Sequence, residues 1–261
     1  MAPLLIGAPA RVAGVDGCKG GWVAVVLEPD GTARAERIAR VEELFARAHA
    51  PELMAIDMPI GLPEQVGPRG RAPEREVRPL LGRRRSSVFS MPSRAAVYAG
   101  LDALAFPEEG PRYRHACAVA RATSTPPRKI SKQAFHIFPK IAEIDLLLRT
   151  RPELRPRIHE CHPEVSFWAM NGRSEIPIAK KVRNAPHKPG LELRRQLLAG
   201  QGFAAEILSS AHARSLGVGE DDLIDACAAA WTASRIAAGT ALAYPSPPEA
   251  DAHGLPVCIT A

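Results

Sequence analysis

The sequence predicts an α/β fold: a mixed sheet whose first three strands are antiparallel and whose later strands are parallel, with helices on both faces. Three observations predict it. Apolar runs joined by tight turns open the chain; two later apolar runs each follow helical spacing; and a long apolar helix closes the domain. The first pattern makes hairpins, the second makes crossovers, and the third supplies a cover for one face.

The elements follow in order. Val12 to Gly17 reads as a buried strand ending at Asp16, and Gly20-Gly21 turns the chain. Trp22 to Leu27 is the second apolar strand. Pro29-Asp30-Gly31 is a hairpin turn, and Ala33 to Ala39 returns as the third. Val41 to His49 has helical spacing, with Val41, Leu44, Phe45 and Ala48 on one side. Leu53 to Ile56 is a short apolar strand that again ends in an aspartate, Asp57, before Pro59-Ile60-Gly61-Leu62-Pro63 breaks regular structure.

Residues 64–128 are rich in proline and arginine and read as an insertion, with short helices over Arg75 to Leu81 and Arg112 to Ala122. Ser131 to Leu148 predicts one long helix. Ile158 to His162 predicts a strand, and Pro163 opens a helix through Met170, a place where a missing N–H costs nothing. Leu191 to Leu198 and Phe203 to Leu208 are further helices, and Asp221 to Ala238 is the last long one. The domain reads as residues 11–243, and residues 244–261, with four prolines, as an extended tail.

Composition narrows the class. A chain of 261 residues with 46% apolar side chains can bury one substantial core. No run is long and apolar enough for a bilayer, since Ile224 to Ala238 is interrupted by Asp225, Thr232, Ser234 and Arg235. The first ten residues lack the pattern of a secretory leader. Five cysteines, an odd number with no Cys-x-x-Cys pair, disfavour a disulfide framework or zinc site and fit a reducing cytoplasm. Cys18 reads as a small residue in a tight turn. The net charge is +6, and Arg69, Arg71, Arg75, Arg78, Arg83, Arg84 and Arg85 cluster in one stretch. The guanidinium fork suits phosphate, but an arginine-rich surface alone does not select nucleic acid.

The acidic residues carry more. Asp16 and Asp57 each end an apolar strand, and ligands of open α/β sheets bind beyond the carboxyl ends of strands. If the strands are neighbours, the two carboxylates share an edge and repel unless a cation sits between them. A hard cation such as Mg²⁺ or Mn²⁺ removes the repulsion. Either aspartate also suits a turn or cap. In Glu160-Cys161-His162-Pro163-Glu164, residues 160 and 162 share one strand face, and Glu164 falls in the first turn of a helix, where the dipole also favours it. Asp222 and Asp225 share a face of the last helix. Asp225 lies within an alanine-rich apolar run, where a carboxylate is costly without a partner. Convergent carboxylates of this kind hold the ions of two-metal phosphoryl hydrolysis, about 3.5–4 Å apart.

These segments, taken together, resemble a known family. Val15-Asp16-Gly17-Cys18-Lys19-Gly20-Gly21-Trp22, Ile56-Asp57-Met58-Pro59-Ile60-Gly61-Leu62, Leu81-Gly82-Arg83 with Ser86-Ser87-Val88-Phe89, Pro139-Lys140-Ile141 with Glu143, Glu160 with His162-Pro163-Glu164-Val165-Ser166-Phe167, Lys188 with Gly190, and Asp222-Leu223-Ile224-Asp225-Ala226 are similar to the predicted RNase H-like nuclease family, domain of unknown function 429. The resemblance runs from Val12 to Gly239. It implies a ribonuclease H-like core whose metal ligands come from the first strand, the fourth strand and the final helix. Here those are Asp16, Asp57 and Asp225, with Asp222 alongside and Glu160 or Glu164 as a further ligand. It departs from the family at Pro73-Glu74-Arg75, where members often carry a Cys-Asp pair before the Leu-Gly-Arg run. Lys19, Arg83, Lys140 and Lys188 are the expected phosphate contacts, or simply cations that balance the acids.

The expected function is therefore metal-dependent hydrolysis of DNA or RNA, with Asp16, Asp57, Glu164 and Asp225 catalytic and Mg²⁺ or Mn²⁺ as cofactor. Two other readings compete. Gly14-Val15-Asp16-Gly17 also suits the phosphate-gripping hairpin of actin-like and sugar-kinase folds, although a second glycine-rich loop is missing from the sequence. A non-catalytic nucleic-acid-binding module is the other, and with 5% aromatic residues it has little to stack bases on.

Overall fold

In a computed structural model, residues 9–182 and 185–261 are described. The strands β1 (Val12–Cys18), β2 (Gly21–Leu27), β3 (Ala33–Ile38) and β4 (Leu53–Ile56) come first. Helices α1 (Ala72–Val77), α2 (Arg94–Ala99), α3 (Glu109–Ala122), α4 (Lys132–His136) and α5 (Phe138–Thr150) follow, then β5 (Ile158–Glu160) and α6 (Pro163–Met170). The remainder is β6 (Lys181–Val182), β7 (Ala185–Pro186), α7 (Lys188–Gly200), α8 (Ser210–Leu216), α9 (Glu220–Ala237), β8 (Ala243–Ala250) and β9 (Pro256–Thr260). The fold is α/β with a mixed five-stranded sheet in the order β3-β2-β1-β4-β5. β1, β2 and β3 pair antiparallel, and β1, β4 and β5 pair parallel.

Strand alternation sorts the side chains into two cores. Val12, Val23, Val25, Leu27 and Ala55 pack on the face covered by α7 and α9. Ala13, Val15, Trp22, Ala24, Met54 and Ile56 pack on the other, against α2, α3 and α5. α9 lies on β1, β2 and β4 so closely that a Cβ at Gly14 would overlap the backbone of Ala226 and Ala230. Small residues on both surfaces allow this approach: Gly14 on the strand, and Ala226, Ala229 and Ala230 on the helix.

Several elements differ from expectation for local reasons. Val41 to His49 forms only a 3-10 turn, Val41–Leu44; Val41 and Leu44 are buried as the spacing required. The long helix over Ser131 to Leu148 is two, divided at Ile137, because Pro139 lacks the N–H that would continue α4. Phe203 to Leu208 is a turn rather than a helix, following Gly202 at φ 94°, while its apolar side chains still bury beneath α9. In the insertion, α1 ends at Val77 and passes into a 3-10 segment, Arg78–Ser87, broken at Gly82 (φ 48°). The tail is extended, but it folds on itself as the β8–β9 hairpin and joins the domain through a Cys161–Thr260 bridge. Arg94 ties it down further, donating to Asp251 and, at 3.0 Å, to Asp145 of α5. All five cysteines are buried thiols.

Candidate metal centre

The site forms where β1 and β4 end beneath the start of α9. The β1–β4 register pairs Val15 with Ile56, so Asp16 and Asp57 occupy the next level together. The Asp57 N–H donates to the Val15 carbonyl at 2.9 Å, which extends the pairing to that level. By alternation both side chains fall on the α9 face, with Val12, Gly14 and Ala55. The close seat of α9 on Gly14 brings Asp225 down to meet them. One carboxylate oxygen from each of Asp16, Asp57 and Asp225 lies within 4.8 Å of the others. Asp16 is 7% exposed and Asp225 4%, with Asp57 half-buried.

Three acids so close and so dry resist ionisation. Burial, reinforced by Asp57 and Asp225, holds the Asp16 carboxyl well above its usual range. Burial pushes Asp57 up to about 7 and Asp225 up to about 6, with Lys180 pulling both back. Burial, then Asp221 and Asp225, takes Asp222 to about 6. Lys180 bonds directly to Asp225 Oδ2 and is itself raised by that pairing. The Lys180 ammonium does not balance three ionised carboxylates. The other oxygen, Asp225 Oδ1, is buried with no hydrogen-bond partner among the described residues.

The residues fit a divalent cation. The donors are all carboxylate oxygens, the set a hard ion prefers. Ligands on opposite sides of a Mg²⁺ stand about 4.2 Å apart, so a spread of 4.8 Å needs only a small contraction. An unpartnered buried oxygen is what an absent ligand leaves behind.

The other expected residues divide. Glu160 does not join. It pairs in register with Ile56, which puts it on the opposite sheet face from Asp57. There it bonds Arg71 at 2.7 Å and accepts the Ile60 N–H at 2.7 Å, clamping the chain-breaking loop. Glu164 borders the cluster, yet both its oxygens are held at 2.7 Å by Arg194, a wholly buried guanidinium. That pairing, with Lys180, keeps its carboxyl below the usual range despite burial. Asp222 is half-buried at the rim, one turn before Asp225.

Among the expected phosphate contacts, Lys140 reaches the site. Its chain crosses Gly17, where a Cβ would come within 2.7 Å of Cδ, and its ammonium bonds the Gly21 carbonyl above Trp22. Lys19 belongs to the β1–β2 turn, where its carbonyl accepts from Arg37. Arg83 is exposed, with its backbone N–H on Glu175. Lys188 lies at the start of α7 in a separate surface groove with Glu192 and Arg195. The arginine run is not one patch, since Arg71 is buried and Arg78 spends its donors on Val88 and Ser90. Lys180 and Arg194, the cations that hold the acids, carried no pattern in sequence.

The family described as "protein of unknown function (DUF429)" matches residues 14–250. The chain belongs to this family. No curated protein and no solved structure matches it. The DUF429 match spans β1, β4 and α9, the three elements that supply the acids, and runs into β8. Beside the acids this DUF429 chain has a cavity of about 180 Å³, bordered by Asp16, Asp57 and Lys140 and reaching towards Arg71, Glu74 and His162.

Proposed function

We propose that the chain is a divalent-metal-dependent phosphodiesterase acting on nucleic acid, built on a ribonuclease H-like core. The carrying observation is the meeting of Asp16, Asp57 and Asp225 from β1, β4 and α9, with a buried oxygen left free. Support for the core comes from the strand order and orientation, three antiparallel strands followed by parallel ones, and from the origin of the acids in the first strand, the fourth strand and the last helix. Those are the positions that the sequence resemblance implied.

Asp16, Asp57 and Asp225 would hold Mg²⁺ or Mn²⁺, with Asp222 close enough to take part from the rim. Such an ion, when bound, acidifies its water and neutralises charge on a phosphate oxygen. The chain's own residues set up that chemistry. Arg194 fixes Glu164, so this carboxylate orders the start of α6 and adds negative potential around the site. Lys180 balances Asp225 until other positive charge arrives. Lys140 borders the cavity beside Asp16 and Asp57, and its ammonium, now on the Gly21 carbonyl, would serve a phosphate there.

Incubation with single-stranded, duplex, hybrid and branched substrates plus Mg²⁺ or Mn²⁺ tests the reading. Cleavage is expected, falling by more than about a hundredfold in Asp16→Asn and Asp57→Asn, because even the partners of metal ligands are worth ten- to a hundredfold. Absence of cleavage on every substrate, or cleavage surviving in both variants, contradicts it. Nucleotide hydrolysis without strand cleavage favours the phosphate-handling alternative.

A further inference from the structure

The cavity beside the acids has a character of its own. Its volume, about 180 Å³, is below the roughly 300–1,000 Å³ of drug-sized sites and suits one ring system. Met58, Phe89, Met91, Ile137 and Ile259 make apolar walls, with Phe89 able to offer a ring face. The polar end is built from Arg71, Glu74 and Glu160, all buried. Arg71 bonds Glu74 Oε1 at 2.6 Å and Glu160 Oε1 at 2.7 Å, with Glu160 Oε2 at 3.3 Å, and gives its remaining contacts to the Ile60 and Gly61 carbonyls. One guanidinium thus serves two carboxylates, and Glu74 Oε2 is left buried without a partner among the described residues. Glu74 is only 2% exposed, so leaving that acceptor unpaired is costly.

A second free atom has the same sense. His162 Nε2 faces the Ser87 carbonyl at 3.3 Å, and a carbonyl only accepts, so Nε2 carries the proton. His162 Nδ1 is then an acceptor, and it too is buried and unpartnered among the described residues. Glu74 and His162 both border the cavity, and each keeps one buried acceptor unused among the described residues, while the guanidinium beside Glu74 is committed. What the cavity lacks is a flat ligand that donates.

We propose that this cavity receives a single unstacked nucleobase bearing an exocyclic amino group, which donates to Glu74, while its phosphate lies at the Asp16–Asp57–Asp225 cluster. The inference rests on the nuclease reading for the class of ligand. Adenine, cytosine and guanine all carry an amino donor, whereas uracil and thymine have none and offer only an N3–H flanked by two carbonyl oxygens that a carboxylate repels. Enzymes that take a base out of the stack read it in this way, between apolar walls and against its hydrogen-bonding edge. The cavity has no room for a base pair, so the nucleotide at the acids is single-stranded, terminal or extruded.

Ligand-observed NMR tests this with adenosine, cytidine, guanosine and uridine at millimolar concentration, on the full chain in EDTA. Nucleosides lack the phosphate and the buffer lacks metal, so the result does not depend on catalysis. Adenosine, cytidine and guanosine, or those of them that fit, are expected to bind at least tenfold more tightly than uridine, the scale of a hydrogen bond to a buried charge. In Glu74→Gln the preference should fall below about threefold. Uridine binding as tightly as the others overturns the proposal, as does failure of all four to bind. The wild-type comparison decides this whether or not Glu74→Gln folds. Cleavage of oligonucleotides without any amino-nucleoside preference would remove the base pocket and spare the nuclease reading. Selective binding without cleavage would uphold the pocket and remove that reading.

Discussion

At the scale of single residues, the site is a set of charges arranged against stability. Asp57 and Asp225, at about 7 and about 6, hold protons in the fold that they would release when unfolded. A folded state that binds more protons loses stability as pH rises. The metal-free protein should therefore become less stable between about pH 4 and pH 8, most steeply near pH 5, where both groups are protonated in the fold and ionised when unfolded. Because metal binds the ionised form, the stabilisation from Mg²⁺ should be small at pH 5.5 and large at pH 8. Thermal melts in EDTA and in Mg²⁺ at the two pH values check this; a Mg²⁺ effect independent of pH would contradict it. By the same logic Asp57→Asn should raise the melting temperature in EDTA at pH 8 and abolish the Mg²⁺ effect. Arg194 is the opposite case. Arg194→Leu leaves Glu164 buried and unpaired and should cost about 3–5 kcal/mol by denaturant unfolding. Lys180 keeps 21% of its side chain exposed, so Lys180→Met should cost the metal-free protein less, about 1–2 kcal/mol, and tighten Mg²⁺ binding by freeing Asp225.

At the scale of elements, legibility followed periodicity. Asp16 and Asp57 were visible because apolar strands announce their own ends, and Asp225 because a carboxylate is out of place among alanines. The choice between Glu160 and Glu164 was not visible. It turns on which sheet face residue 160 occupies, and that depends on a register shared with Ile56, set by pairing far away in sequence. Lys180 sits in an irregular segment before β6, where no period exists to read. The long helix over Ser131 to Leu148 shows a different failure: the apolar pattern runs through, but Pro139 withdraws a backbone donor and the pattern cannot replace it. The contact between β1 and α9 carries the most exposed structural prediction. Gly14→Ala puts a methyl into the backbone of Ala226 and Ala230, so α9 must lift and carry Asp225 away. A loss of about 2–4 kcal/mol, together with loss of metal binding, is expected from calorimetry and titration. Unchanged metal affinity would show that Asp225 is not held by this seat.

At the scale of the whole molecule, the sheet brings two strand ends to one edge, and the helix on one face closes a third acid over them. The opposite face carries α2, α3 and α5, and the C-terminal hairpin lies against β5 and α1, joined through Arg94, Asp145 and Asp251 and through the Arg71 cluster. These elements wall the cavity on the side away from α9, so the acids open towards a shaped space rather than bulk solvent. That division of labour was half-readable: the sheet and its covering helices follow from apolar patterning, whereas the docking of the hairpin depends on buried ion pairs between distant segments. Among the described residues, no helix is long and apolar enough to cross a membrane. The most direct test of the central claim is the anomalous scattering of a crystal of the full chain soaked in Mn²⁺ at pH 8. The account predicts a peak bounded by carboxylate oxygens of Asp16, Asp57 and Asp225, with Lys180 turned away from Asp225 Oδ2. A map with no peak there, or with Mn²⁺ only at surface acids elsewhere, would contradict it.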